Sequence, residues 1–147
     1  MTTFHVVLIE DDPDHASLIS DLLEDDCPGM QVTHHGNGPA GLEFLELCYA
    51  QARLPDLILL DLNMPGLNGV EVMRILKSDR RFVHIPAVLL TTSSSPVDVE
   101  AALAAHANSY VCKAIDLTDF EGTIETLRHY WRSVHCAANR AGRANEA

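Results

Sequence analysis

The chain has 147 residues, of which 47% are hydrophobic and 21% charged. These are the proportions of one ordinary globular domain, not of a disordered, collagen-like or coiled-coil chain. Its 21 Asp and Glu against 10 Lys and Arg leave a formal net charge of −11, which argues against direct nucleic-acid binding because phosphate backbones demand a basic face. The only basic bias lies late, in Arg128, Arg132, Arg140 and Arg143. No apolar run approaches the roughly 18 residues of a membrane span. The amino end, MTTFHVVLIEDD, has no basic region ahead of its short apolar run and is not a signal peptide. A cytoplasmic protein without membrane attachment is expected. Cys27, Cys48, Cys112 and Cys136 show neither CxxC pairing nor zinc spacing and read as reduced thiols.

Short apolar runs alternate with amphipathic stretches. Phe4–Ile9 (FHVVLI) is a strand that ends in acids. A helix follows from Pro13 to about Asp25, with Pro in its first turn and Ala16, Leu18, Ile19, Leu22 and Leu23 at helical spacing. Pro28-Gly29 breaks it, and Met30–His34 alternates as a strand does. The adjacent His34 and His35 would face opposite sides of that strand, so both read as structural or surface residues. Pro39 to about Ala52 is a second helix, with Leu42, Leu45 and Cys48 or Tyr49 inward. Asp56–Leu60 (DLILL) is a continuous apolar run, the mark of a strand buried on both faces. A loop rich in Asn, Pro and Gly covers Asp61–Gly69. Val70 to about Ser78 is a third helix with Val72, Ile75 and Leu76 inward. Pro86–Leu90 (PAVLL) is a fourth strand, Thr91–Ser95 a polar loop, and Pro96–His106 an Ala-rich helix. Ser109–Cys112 is a fifth strand. Thr118 to about Ala138 is a long last helix, with Thr118 or Asp119 as N-cap. Residues 1–138 form one domain with this extended helix, and 139–147 read as a disordered tail. Strict alternation with apolar central strands predicts an α/β protein, a parallel sheet with helices on both faces.

Ligands of open α/β sheets bind outside the carboxyl ends of the strands. Glu10, Asp11 and Asp12 follow the first strand, Asp61 the third, Thr91 and Thr92 the fourth, and Lys113 the fifth. The second strand adds no acid or hydroxyl. Taken singly, an acid after a strand is commonly a helix N-cap, and a lysine there is commonly solvated. Their arrival at one sheet edge is what points to chemistry. Clustered carboxylates repel unless a cation compensates, and all-oxygen sites suit Mg²⁺. A lone ammonium suits a phosphoryl oxygen. These parts amount to a Mg²⁺-assisted phosphoryl-transfer centre in which one carboxylate is the nucleophile.

The segments VLIEDDP (Val7–Pro13), DLILLDLNMPGLNG (Asp56–Gly69), IPAVLLTTS (Ile85–Ser93) and SYVCK (Ser109–Lys113) occur in this order. Together they resemble the receiver domain of bacterial response regulators, from about Phe4 to Trp131. The resemblance implies a flavodoxin-like, doubly wound five-stranded parallel sheet of order 2-1-3-4-5 with five helices. It implies that Asp61 is the phosphoacceptor and that Asp11 binds Mg²⁺ directly, as do Asp61 and the backbone carbonyl of Asn63. Glu10 would hold the metal through water, and Asp12 would be an N-cap or sit behind the ligands. Lys113 would bind a phosphoryl oxygen, with Thr91 the switch hydroxyl and Tyr110 the aromatic that moves with it. Met64-Pro65 and Gly66 or Gly69 would shape the loop after the acceptor.

The family usually places Pro after the strand-five lysine, whereas this chain has Ala114, which puts the usual shape of that loop in doubt. The missing Pro, the DLTDF continuation and the long Trp-bearing helix are similar to single-domain receivers paired with phytochrome-type photoreceptor kinases. The expected function is thus that of a single-domain response regulator. It accepts a phosphoryl group from a sensor histidine kinase, catalyses nothing beyond its own phosphorylation and dephosphorylation, and signals by protein contact or onward phosphotransfer. A receiver acting as a phosphorylation-independent binding module is the alternative. A phosphatase of the DxD kind would need an acid at position 63, which is Asn. The last helix, at about 1.5 Å per residue, should overhang the sheet. Its Tyr130, Trp131 and Val134 are therefore expected to form a homodimer interface.

Overall fold

The computed structural model describes residues 3–25, 29–91 and 95–112, together with 122, 125, 126 and 129. The chain alternates β1 (Phe4–Ile9), α1 (Pro13–Glu24), β2 (Met30–His35), α2 (Gly38–Ala50), β3 (Leu57–Asp61), α3 (Gly69–Lys77), β4 (Ala87–Thr91), α4 (Pro96–Ala104) and β5 (Ser109–Cys112). All four strand pairings are parallel and the order is β2-β1-β3-β4-β5. This is the flavodoxin-like order that the resemblance implies. From β1 the chain first steps outward to β2, then returns across β1 to β3. The reversal opens a crevice at the carboxyl ends of β1 and β3, where such folds bind ligands.

The residues of β3 and β4, and all but His5 of β1, are buried on both faces, with alternate side chains feeding two cores. Val7, Ile9, Ile58, Leu60 and Leu89 meet Leu45 of α2, Val72, Met73 and Leu76 of α3, and Ala102 of α4. Val6, Leu8, Leu57, Leu59, Val88 and Leu90 meet Ala16, Ile19 and Leu23 of α1. The helices begin where side chains satisfy the first free amides. Asp12 accepts from the amides of Asp14 and His15, and Asn37 from that of Ala40. Asn68 and Glu71 form a reciprocal capping box.

Several sequence expectations are corrected. Asp61 is the last residue of β3, not the first of the loop, and Thr91 likewise ends β4. In α3, Gly69, Val72, Met73 and Leu76 are buried while Ile75 is 43% exposed. At about 100° per residue, those four share one arc and Ile75 falls outside it. In α2 the inward residue is Cys48, and Tyr49 is half exposed. Tyr49 lies in the last turn, where its ring meets the edge of Phe82 and the guanidinium of Arg81. The segment between α3 and β4 is not a plain connection, for Phe82 and Ile85 are buried in the core. Lys77 secures it by donating to the carbonyls of Val83 and Ile85 and to Asn108 Oδ1, at 3.1, 3.0 and 2.8 Å.

Among the described residues no helix is long and apolar enough to cross a membrane. Gly122, Glu125, Thr126 and His129 are helical and exposed. The rest of the expected last helix, including Tyr130, Trp131 and Val134, lies outside the described residues, as do Lys113, the Lys113–Ala114 peptide and the tail.

Candidate functional site

Strand register brings the acids together. Ile9 pairs with Leu60, and Asp61 with Leu90, so the residue after β1 and the last residue of β3 flank the crevice. One carboxylate oxygen each from Glu10, Asp11 and Asp61 lie within 4.8 Å of one another. Glu10 is 1% exposed and Asp61 5%, whereas Asp11 is open to solvent. Two buried acids beside a third concentrate negative charge in a place where water screens it poorly.

Backbone contacts hold this arrangement. The Glu10 amide donates to the carbonyl of His35 at 3.0 Å. The Glu10 carbonyl lies 2.7 Å from His34 Nε2; since a carbonyl only accepts, that nitrogen carries the proton. The Asp12 amide donates to Glu10 Oε1 at 3.3 Å. The His35 ring packs 4.5 Å from Phe44, and burial, with His34 and His5 nearby, holds its pKa below the ordinary histidine value. His15, in the first turn of α1, places Nδ1 3.8 Å from Glu10 Oε1 and Nε2 3.8 Å from Asp12 Oδ2.

Past Asp61 the chain turns sharply. The Leu62 amide donates to Leu90 O at 2.8 Å and the Gly69 amide to Leu62 O at 3.0 Å. A Cβ on Gly69 would stand 2.8 Å from Leu62 Cα and collide with the Asp61 carbonyl. Only hydrogen fits there, so glycine lets α3 start directly behind the acid. Gly66 has φ +76°, the left-handed turn that glycine adopts without strain. Met64 is buried beneath this loop and Asn63 is exposed. Thr91 is wholly buried at the end of β4, opposite Cys112. Tyr110, paired with Leu89, is half-buried against the core.

The structure therefore brings Glu10, Asp11 and Asp61 into one cluster, with Asn63 on the adjoining loop and Thr91 on the neighbouring strand end. Asp12 serves as the N-cap of α1. Among the described residues the cluster is three carboxylates with no nitrogen or sulfur donor, an oxygen-only set that fits a hard divalent ion such as Mg²⁺ or Mn²⁺. The reading of His34 as a structural or surface residue agrees with its exposed position, but its bond to Glu10 and the placing of His15 were not foreseen. No local pattern marks His34, whose contact with Glu10 arises from parallel pairing. His15 follows a capping Asp by three residues, a spacing that places it over the cap.

Residues 6–125 match the family model of the response regulator receiver domain. The chain belongs to this family. Among relatives of this receiver domain, the probable methanogenesis regulatory protein FilR2 of Methanothrix harundinacea is 36% identical over 129 residues, 87% of this chain and 83% of that protein. The response regulator Rcp1 of Synechocystis is 31% identical over 128 residues, covering 86% of this chain and 87% of that protein. The phosphorylated cyanobacterial phytochrome response regulator RcpA superposes on the receiver domain with a TM-score of 0.84 at 31% identity, over 90% of this chain and 96% of that one. Rcp1 in its Mn²⁺-bound form gives 0.79 at 31% identity, over 86% and 93%.

Proposed function

We propose that this receiver domain is a single-domain response regulator that takes a phosphoryl group from the phosphohistidine of a sensor histidine kinase onto Asp61. The observation that carries this reading is the convergence of Glu10, Asp11 and Asp61 at the crevice between β1 and β3. An Asp61 carboxylate oxygen attacks phosphorus in line, forming the new O–P bond while the N–P bond breaks and the imidazole leaves with its electron pair. Mg²⁺, when bound, neutralises the non-bridging oxygens. Asp11, Asp61 and the carbonyl of Asn63 would hold the ion directly, and Glu10 would hold it through water. Thr91 donates its hydroxyl and Lys113 its ammonium to phosphoryl oxygens, and Tyr110 follows the movement of Thr91. The domain catalyses only its own phosphorylation and dephosphorylation.

Its likeness to Rcp1 and to the phytochrome response regulator RcpA supports a phytochrome-type photoreceptor kinase as donor, in the cytoplasm. Output goes through protein contact or onward phosphotransfer. Tyr130, Trp131 and Val134 carry a homodimer interface. Sedimentation of wild type and Trp131→Ala at micromolar concentration tests that point: a monomeric wild type, or a dimer untouched by the substitution, overturns it. The acceptor is tested with Mg²⁺ and acetyl phosphate. Wild type yields a slowly decaying phosphoprotein and Asp61→Asn yields none; equal labelling of the two overturns the assignment. Absence of label in wild type would favour a phosphorylation-independent binding module.

A further inference from the structure

Beside the acidic crevice, between the β3–α3 loop and α4, runs an open groove of about 580 Å³. Met64, Val70 and Ala101 supply its apolar walls, and Asn63, Asn68 and Asp98 its polar groups. Among the described residues no lysine or arginine lines it. Asp98 is the third residue of α4, in the helix's first turn. Among the described residues its carboxylate makes no hydrogen bond or ion pair. One turn before Ala101 on the same helix face, Val97 is 72% exposed.

We infer that this groove receives an arginine side chain presented by a partner protein. The apolar walls suit the aliphatic stem. The guanidinium would pair with Asp98 through two parallel hydrogen bonds and reach the side-chain carbonyl of Asn63 with a remaining donor. Charge complementarity favours this occupant over an acidic or neutral one. Among the described residues the groove holds a carboxylate with no cation beside it, and the whole chain carries a formal charge of −11, which draws basic surfaces toward it. Arginine fits better than lysine because its planar fork matches a carboxylate and its weaker hydration makes partial burial less costly. The inference does not rest on phosphoryl transfer at Asp61, since none of the three polar groups needs a phosphoryl group to act.

The test is an amide chemical-shift titration of the full chain with N-acetyl-arginine N-methylamide, repeated with its neutral citrulline counterpart. Saturable shifts are expected at Asn68, Val70, Asp98 and Ala101 with the arginine compound and none there with citrulline. Asp98→Asn should weaken binding at least about fivefold, as expected for loss of a charge-assisted bond, with shifts elsewhere showing an intact fold. Ala101→Lys, which sets a cation of the chain's own beside Asp98, should block the site. Equal responses to both compounds, an affinity unchanged in Asp98→Asn, or shifts confined to Glu10, Asp11 and Asp61 would each overturn the inference.

Discussion

Replacing Gly69 by alanine should damage the domain through one added carbon. Gly69 does not have a positive φ, so the effect is one of space. The new Cβ would meet Leu62 Cα at 2.8 Å and come closer still to the Asp61 carbonyl. Ordinary contact begins near 3.4 Å, so the two backbones must part by at least 3.4 − 2.8 = 0.6 Å. No rotamer relieves this, because both obstacles are main chain, pinned by hydrogen bonds from Gly69 to Leu62 and from Leu62 to Leu90. Overpacking of this kind costs about 1–3 kcal/mol, offset by up to about 1 kcal/mol from the stiffer unfolded chain. A net loss of about 1–2 kcal/mol lowers Tm by roughly 2–8 °C at this chain length. Two other glycines serve as controls. Gly36 has open space and no positive φ, so Gly36→Ala should be neutral or slightly stabilising. Gly66 also has open space but φ +76°, so Gly66→Ala should cost about 1–2 kcal/mol through conformation alone. Thermal unfolding of the three variants separates crowding from backbone strain, and phosphorylation by acetyl phosphate reads the displacement of Asp61. A Gly69→Ala protein that melts with wild type and labels at the wild-type rate would refute the reasoning.

Lys77→Met keeps the stem but removes three donated bonds to Val83, Ile85 and Asn108. Urea unfolding at neutral pH should show a loss of about 1–3 kcal/mol, and a loss below about 0.5 kcal/mol would deny the clamp its role. Burial holds the pKa of His5 below its ordinary 6.5 despite the opposing pull of Asp56. Between the lowered folded value and the ordinary unfolded one, the unfolded chain binds more protons, so stability falls as pH drops through about 6.5. His5→Gln should flatten the Tm-versus-pH curve between about pH 7.5 and 5.5; an unchanged slope would assign the dependence elsewhere. Asp11→Ala should weaken Mg²⁺ binding more than Glu10→Ala, since direct ligation outweighs a water bridge, and equal losses in a metal titration would reverse that ranking.

The sheet was legible because strands buried on both faces leave continuous apolar runs, as in LILL of β3 and AVLL of β4. Those runs understate each strand by its final polar residue. Asp61 and Thr91 are held by backbone pairing, which hydrophobicity does not report. The acids were legible as a group because the fold rule sends every strand end to one edge. His34 was not, because its contact with Glu10 depends on the register that sets Leu8 opposite His34 and Ile9 opposite His35. The inward choice of Met73 over Ile75 followed from the full arc of α3, including the Gly69 start that a pattern of large apolar residues overlooks. Phe82 and Ile85 escaped because they anchor a segment without regular periodicity, ordered by the Lys77 ammonium from a distance.

The central claim is that Asp61 carries the phosphoryl group. Borohydride reduction converts an aspartyl phosphate to homoserine, which peptide mass spectrometry locates to a single residue. After exposure to acetyl phosphate and Mg²⁺, homoserine is expected at position 61 and nowhere else. Homoserine at Asp11 or Asp12, or a phosphorylated protein with none at position 61, would contradict the account.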